Sequence, residues 1–169
     1  MVQLHLVCSK TSEGGDRELK SGETRIAEIE EVSTNGECRQ NSAIVGPRGF
    51  EDDRSGTPGI ILINGYVIHH INRNLGLQLM AGQLGENIWV KGARNLSALP
   101  SGTLIRRNKK VVLMVEAKAG HYRGMFPKFP DQVLNLLERR GGAVCSVVSG
   151  IGERVGEHQD VEFLDAQKE

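Results

Sequence analysis

Apolar residues recur along this chain at two periods, and each predicts a different element. Val2 to Val7 alternates, with Val2, Leu4 and Leu6 on one face and Gln3 and His5 on the other, which predicts a strand. Arg25 to Val32 carries Ile26, Ile29 and Val32, a spacing between helix and strand that leans to strand. Ala43 to Val45 predicts a short strand, and Ile60-Ile61-Leu62-Ile63 is an apolar run of strand length. After Asn64, a good N-cap, Val67, Ile68, Ile71 and Leu75 fall on one face of an amphipathic helix closed by Gly76. Thr103 to Arg107 and Val111 to Glu116 form a hairpin through Asn108-Lys109-Lys110. Asp131 to Arg140 repeats the helical pattern through Val133, Leu134, Leu136 and Leu137, with Arg139 and Arg140 in the last turn. Ala143 to Ser149 and Val161 to Leu164 complete the strands. Ser9 to Gly22, Ser33 to Asn41, Gly46 to Gly59 and Ala117 to Pro130 read as loops or irregular segments.

About eight short strands and two helices without strict βαβ alternation predict a mainly β, barrel-like domain of mixed α/β content. Its two helices lie outside the barrel. The 169 residues suit a single domain, residues 1–169, large enough to bury a core without staples.

The most informative stretch is Gly82-Gln83-Leu84-Gly85-Glu86-Asn87, followed by the strand signal Ile88-Trp89-Val90. Glycines at 82 and 85 pin a turn and hold a carboxylate and an amide at the mouth of a strand. Asn and Glu beside a turn satisfy backbone groups more often than they hold a ligand.

Charge narrows the partners. Lys plus Arg equals Asp plus Glu at 21 each, so no basic excess favours nucleic acid. No apolar run approaches the roughly 20 residues of a membrane span, and Met1 to Cys8 lacks the pattern of a signal peptide. Cys8, Cys38 and Cys145 are widely spaced with no CxxC, which predicts free thiols in a reducing cytoplasm rather than disulfides or structural zinc. His69 and His70 are adjacent on a helix and point apart, which argues against a shared metal.

The order of these pieces resembles the MOSC domain, the C-terminal domain of molybdenum cofactor sulfurases, over roughly residues 43–164. The residues that carry it are Asp53-Arg54 on a glycine-bearing loop, the strand and helix from Ile60 to Leu75, and Gly82-Gln83-Leu84-Gly85-Glu86-Asn87-Ile88. Then follow Leu96 to Leu104, the hairpin, a helix, Arg140-Gly141-Gly142-Ala143 and Arg154-Val155-Gly156-Glu157. Residues 1–42 add N-terminal strands and loops. A second Gly-Asp-Arg, Gly15-Asp16-Arg17, lacks the strand, helix and glycine loop at the right distance.

The resemblance implies a barrel like the pyruvate kinase β-barrel, binding a molybdenum–pterin cofactor or a related anionic ligand, with a role in cofactor biosynthesis or sulfur handling. It implies a sulfur-carrying cysteine just after the hairpin, where this chain reads Glu116-Ala117-Lys118-Ala119-Gly120-His121-Tyr122. One family pattern places that cysteine at Gly120 and the other at His121, so the thiol is missing. Sulfur transfer needs an accessible thiolate, which argues against sulfurase activity at this position. Asp53, Arg54, Gly85, Glu86 and Asn87 are then expected at the ligand pocket. Lys118, Arg54 and Arg123 are candidates to meet an anionic group, and His121 is a candidate metal ligand or proton donor. Expected partners are the cofactor-like small molecule and a molybdoenzyme or cofactor-biosynthesis protein. No site for pyridoxal phosphate is evident. Two other readings remain open: sulfur transfer through a relocated thiol, Cys38 or Cys145, and a degenerate barrel that docks a protein.

Overall fold

The computed structural model describes residues 25–34, 38–40, 42–53, 58–92, 95–120 and 122–164. The expected strand Val2–Val7, Gly15-Asp16-Arg17, Cys8, Arg54 and His121 lie outside the described residues, as does the side chain of Cys38.

The run Ile60–Ile63 is apolar throughout because β5 packs against a core on each face. Ile60 and Leu62 point into one core and Ile63 into another. In chain order the strands are β1 (Arg25–Thr34), β2 (Cys38–Gln40), β3 (Ser42–Gly46), β4 (Gly49–Phe50), β5 (Ile60–Asn64) and β6 (Ile88–Lys91). They continue as β7 (Leu104–Arg107), β8 (Val111–Lys118), β9 (Gly142–Ser149), β10 (Arg154–Gly156) and β11 (Asp160–Leu164). The helices are α1 (Gly65–Asn74), α2 (Tyr122–Met125) and α3 (Asp131–Arg140), with a 3-10 turn at Leu96–Ala98.

Seven strands close a barrel in the order β1, β11, β7, β8, β9, β5, β6, because β1 pairs with β11 at one edge and β6 at the other. The domain is thus mainly β with a barrel and peripheral helices, as the pattern predicts. β2 extends the sheet beyond β1, and β10, β3 and β4 form a small second sheet. All barrel pairs are antiparallel except β5–β6. A parallel pair needs a long crossover, here supplied by α1 and the glycine loop. Among the described residues three helices occur where two were expected. The segment Ala117–Pro130 is also less irregular than expected: β8 runs on to Lys118 because Ala117 and Lys118 pair with Val144 and Ala143, and α2 follows. β2 likewise falls inside the expected loop Ser33–Asn41.

Local chemistry matches these elements. The Asn64 side chain accepts from Tyr66 N at 3.0 Å and caps α1. Gly76 follows the helix with φ +73, the left-handed conformation glycine adopts without cost.

One core fills the barrel with Ile29, Val32, Ile60, Leu62, Val90, Val115 and their neighbours. Its interior leaves a void of about 20 Å³ with an almost wholly aliphatic and aromatic lining. That lining offers a water almost no partners, so the barrel is a packed core rather than a ligand chamber. The second core lies between the outer face of β5 and the helices, joining Ile63, Ile68, Ile71, Trp89, Tyr122 and Leu137.

Candidate functional site

Glycine geometry builds the candidate site. Gly82 and Gly85 have φ +88 and +80, which let the loop from Ala81 to Glu86 turn twice before β6. The loop closes Gly85 N to Gly82 O at 3.0 Å. This aims two backbone donors inward at Glu86. Gly82 N donates to Glu86 Oε1 at 2.6 Å and Leu84 N to Oε2 at 3.0 Å. The Trp89 indole Nε1 donates to Oε1 at 2.5 Å, and Ser33 Oγ donates to the Glu86 carbonyl. The side chain is buried, with 1% of the residue exposed. Burial lifts its carboxyl above the ordinary range and outweighs the hydrogen bonds from Trp89 and the loop, which pull the other way.

Asn87 extends the sheet with its side chain. Its backbone N donates to Ile61 O at 2.8 Å, while its Oδ1 accepts from Ile61 N at 2.9 Å. Its Nδ2 donates to Asp53 Oδ2 at 2.8 Å and to Ser33 O at 3.4 Å. Glu86 and Asn87 are therefore buried and hydrogen-bonded as expected. These bonds tie the glycine loop to β5 and to the Asp53 loop. Asn87→Ala strips the partner from the part-buried Ile61 N–H and empties a buried site, and should lower the unfolding free energy by about 1–3 kcal/mol. Urea denaturation checks this, and an unchanged midpoint would contradict the role.

Asp53 and Tyr122 lie within reach of the loop. Asp53 is held directly by Asn87. Tyr122, the first residue of α2, is buried, and its hydroxyl pKa is raised, first by burial and then by the nearby charge of Glu86. Gly120 is half-buried, and a side chain added there would meet nothing within 4 Å. Lys118 ends β8 with its side chain exposed. Ala119 N donates to Gly142 O at 2.9 Å, and Ser97 Oγ both accepts from Gly142 N (3.1 Å) and donates to Gly142 O (3.2 Å).

Arg123, a candidate for the anion-binding set, makes its contacts within the protein. Its guanidinium spreads over α3, donating to Asp131 Oδ1 at 2.9 Å and Asn135 Oδ1 at 2.6 Å, with Glu138 Oε1 at 3.5 Å. It pins α2 to α3. Cys145 is one of the two thiols that the relocated-thiol reading offered. It is fully buried in β9, and its thiol is pushed up to about 12, first by burial and then by the charge of Glu116. Such burial opposes the accessible thiolate that sulfur transfer needs. Among the described residues, no three His, Cys, Asp or Glu side chains converge on a common metal position.

Sequence reasoning missed Tyr122, Ser33 and Ser97. Tyr122 had a readable signal, an aromatic residue directly beside the expected reactive position. Ser33 and Ser97 act across the fold on Glu86 and Gly142, and nothing local in the sequence marks them.

No protein-family model matches the chain, and no curated protein sequence does. Solved structures do. The YuaD protein from Bacillus subtilis superposes with a TM-score of 0.67 at 16% identity, over 86% of this chain and 99% of that one. YiiM from Escherichia coli superposes with a TM-score of 0.56 at 13% identity, over 83% of this chain and 71% of that one. A hypothetical protein gives 0.56 at 15% identity, over 80% and 67%. These likenesses define a MOSC-like fold. At such identities they speak for the fold alone. No helix among the described residues is long and apolar enough to cross a membrane.

Proposed function

We propose that this chain is a MOSC-like domain that binds a molybdenum–pterin cofactor or a related anionic ligand. Its mouth is formed by the Asp53 loop, the glycine loop and the segment from Lys118 to Tyr122. One observation supports this most: the glycine loop holds Asp53 through Asn87 and acts electrostatically on Tyr122 through Glu86. Segments far apart in the sequence, each carrying part of the family resemblance, are thereby tied to one loop.

The donor set fits the organic, anionic part of such a ligand better than its metal. Lys118 offers an exposed ammonium, and the open space at Gly120 lets a ligand approach the backbone. Gly120 has no side chain to coordinate molybdenum, and the described residues supply no cluster of metal ligands. The chain would then bind or hand on the cofactor, in company with a molybdoenzyme or a cofactor-biosynthesis protein, without carrying sulfur at residue 120.

The test is to produce the protein in a host that makes the cofactor and to measure bound pterin and molybdenum. Pterin approaching one per chain, reduced by Lys118→Ala, is the expected result. Protein that retains no pterin and takes up none when cofactor is supplied would overturn the assignment.

A further inference from the structure

β1 carries a pair of buried carboxylates that the candidate ligand site does not use. Its pairing with β6 shifts register between Ile29 and Val32, and the residues at that irregularity, Glu30 and Glu31, are both buried. The Glu30 carboxylate lies along α1. Its Oε2 packs against Gly65, where a Cβ would come within 2.7 Å. Its Oε1 accepts from His69 Nε2 at 2.6 Å, one helical turn later. Oε2 has no hydrogen-bond partner. The edge of the Trp89 indole braces the imidazole at 5.8 Å between centroids.

This arrangement fixes the tautomer. With Nε2–H held by a carboxylate, the lone pair of a neutral ring sits on Nδ1. That nitrogen bonds to nothing among the described residues, and 56% of the side chain is exposed. The other described histidines differ. His70 Nδ1 is paired with the Asn74 amide at 3.1 Å. His158 has Glu28 at Nδ1 (3.2 Å) and Glu157 at Nε2 (3.8 Å). His69 alone of the three combines a buried carboxylate behind the ring with a free nitrogen in front. Tyr66 and Arg73, three residues before and four after, are its neighbours on the helix surface, and both are exposed. α1 contains no acidic residue.

We propose that His69 Nδ1 is a phosphoryl-accepting site, with Glu30 as its positioning residue and Arg73 and Tyr66 placed to receive the phosphoryl oxygens. With a phosphoramidate as donor, the Nδ1 lone pair forms the new N–P bond as the donor's own P–N bond breaks and ammonia departs with the electron pair. The ring becomes an imidazolium whose Nε2–H still donates to Glu30, so the new positive charge meets a carboxylate already in place. Arg73 suits the product because a guanidinium matches phosphoryl oxygens in charge and geometry.

The full chain is incubated with phosphoramidate, a small donor that loses ammonia on transfer. Modified histidines are then mapped by mass spectrometry at alkaline pH, where the N–P bond survives. His69 should be modified at least about tenfold faster than His70 and His158 in the same molecules. Glu30→Gln should slow it by about tenfold or more, the usual effect of removing a carboxylate behind a working imidazole. The comparison among histidines of the unmodified chain needs no variant and stands even if Glu30→Gln folds poorly. No adduct at His69, or modification at the rate of His158, would show that the pair only pins α1 to β1. A folded Glu30→Gln chain that reacts as fast as wild type would remove Glu30 from the proposal.

Discussion

Gly142→Ala should prevent the barrel from closing correctly and cost more than about 3 kcal/mol, the upper range for overpacking. A methyl group at residue 142 would stand 2.2 Å from the Leu62 carbonyl oxygen and 3.3 Å from its carbon. The obstacle is backbone. Leu62 lies in the middle of β5, and Gly142 pairs with Ile63 across the β5–β9 ladder. Neither strand can retreat without breaking that ladder, and Ser97, which bonds both the N–H and the carbonyl of Gly142, would lose its place as well. Against a total stability of about 5–15 kcal/mol, such a loss is decisive. Circular dichroism and urea denaturation measure it. Gly120→Ala is the control, since nothing lies within 4 Å of the added methyl, and its effect should stay within about 1 kcal/mol. A Gly142→Ala protein as stable as the control would refute the packing argument.

The second large effect belongs to Glu86. Glu86→Ala leaves Gly82 N, Leu84 N and Trp89 Nε1 without their acceptor inside the protein. Each buried unsatisfied donor costs about 1–3 kcal/mol, not fully additively, so a loss on the order of 3 kcal/mol or more is expected. The glycine loop should loosen with it, and the Trp89 emission should shift to longer wavelength. Glu86→Gln separates charge from hydrogen bonding. Burial raises the Glu86 carboxyl above its ordinary value of 4.5, so the folded chain binds that proton more tightly than the unfolded chain. Its contribution is greatest below 4.5 and erodes as pH rises from there through the folded-state value. Glutamine does not titrate, so the stability of wild type minus that of Glu86→Gln should fall as pH rises. A difference that grows with pH would mean that the three hydrogen bonds outweigh burial.

The elements with strong local signals were legible. β5, α1 and α3, the hairpin and the glycine loop follow from periodicity, the Asn64 cap and paired glycines, and each appears where those signals place it. β2 and β4 were not, because strands of three and two residues are too short to show a period. α2 was hidden for the same reason, a four-residue turn between glycines and prolines. At the site, the burial of Glu86 and Asn87 was readable from the glycine turn and the following strand. Their partners were not. Asp53 reaches Asn87 from 34 positions away, and Ser33 reaches it from 54. The contacts of Arg123 were not readable either, since the acceptors that meet it stand on the next helix. The Glu30–His69 pair left no trace, since an acid in a strand reads as solvent-facing until a register shift turns it inward.

The seam between β1 and β11 joins the first and the last of the described strands. Arg25 lies opposite Phe163, so the barrel shuts only when a late strand reaches an early one. Contacts of such long sequence separation form slowly, because the loop entropy is spent before the contact repays it. Until β11 arrives, β1 and β7 each present a bare edge of unpaired N–H and C=O groups, a template for another chain. A chain cut short before β11 should therefore leave the sheet open and aggregate more readily.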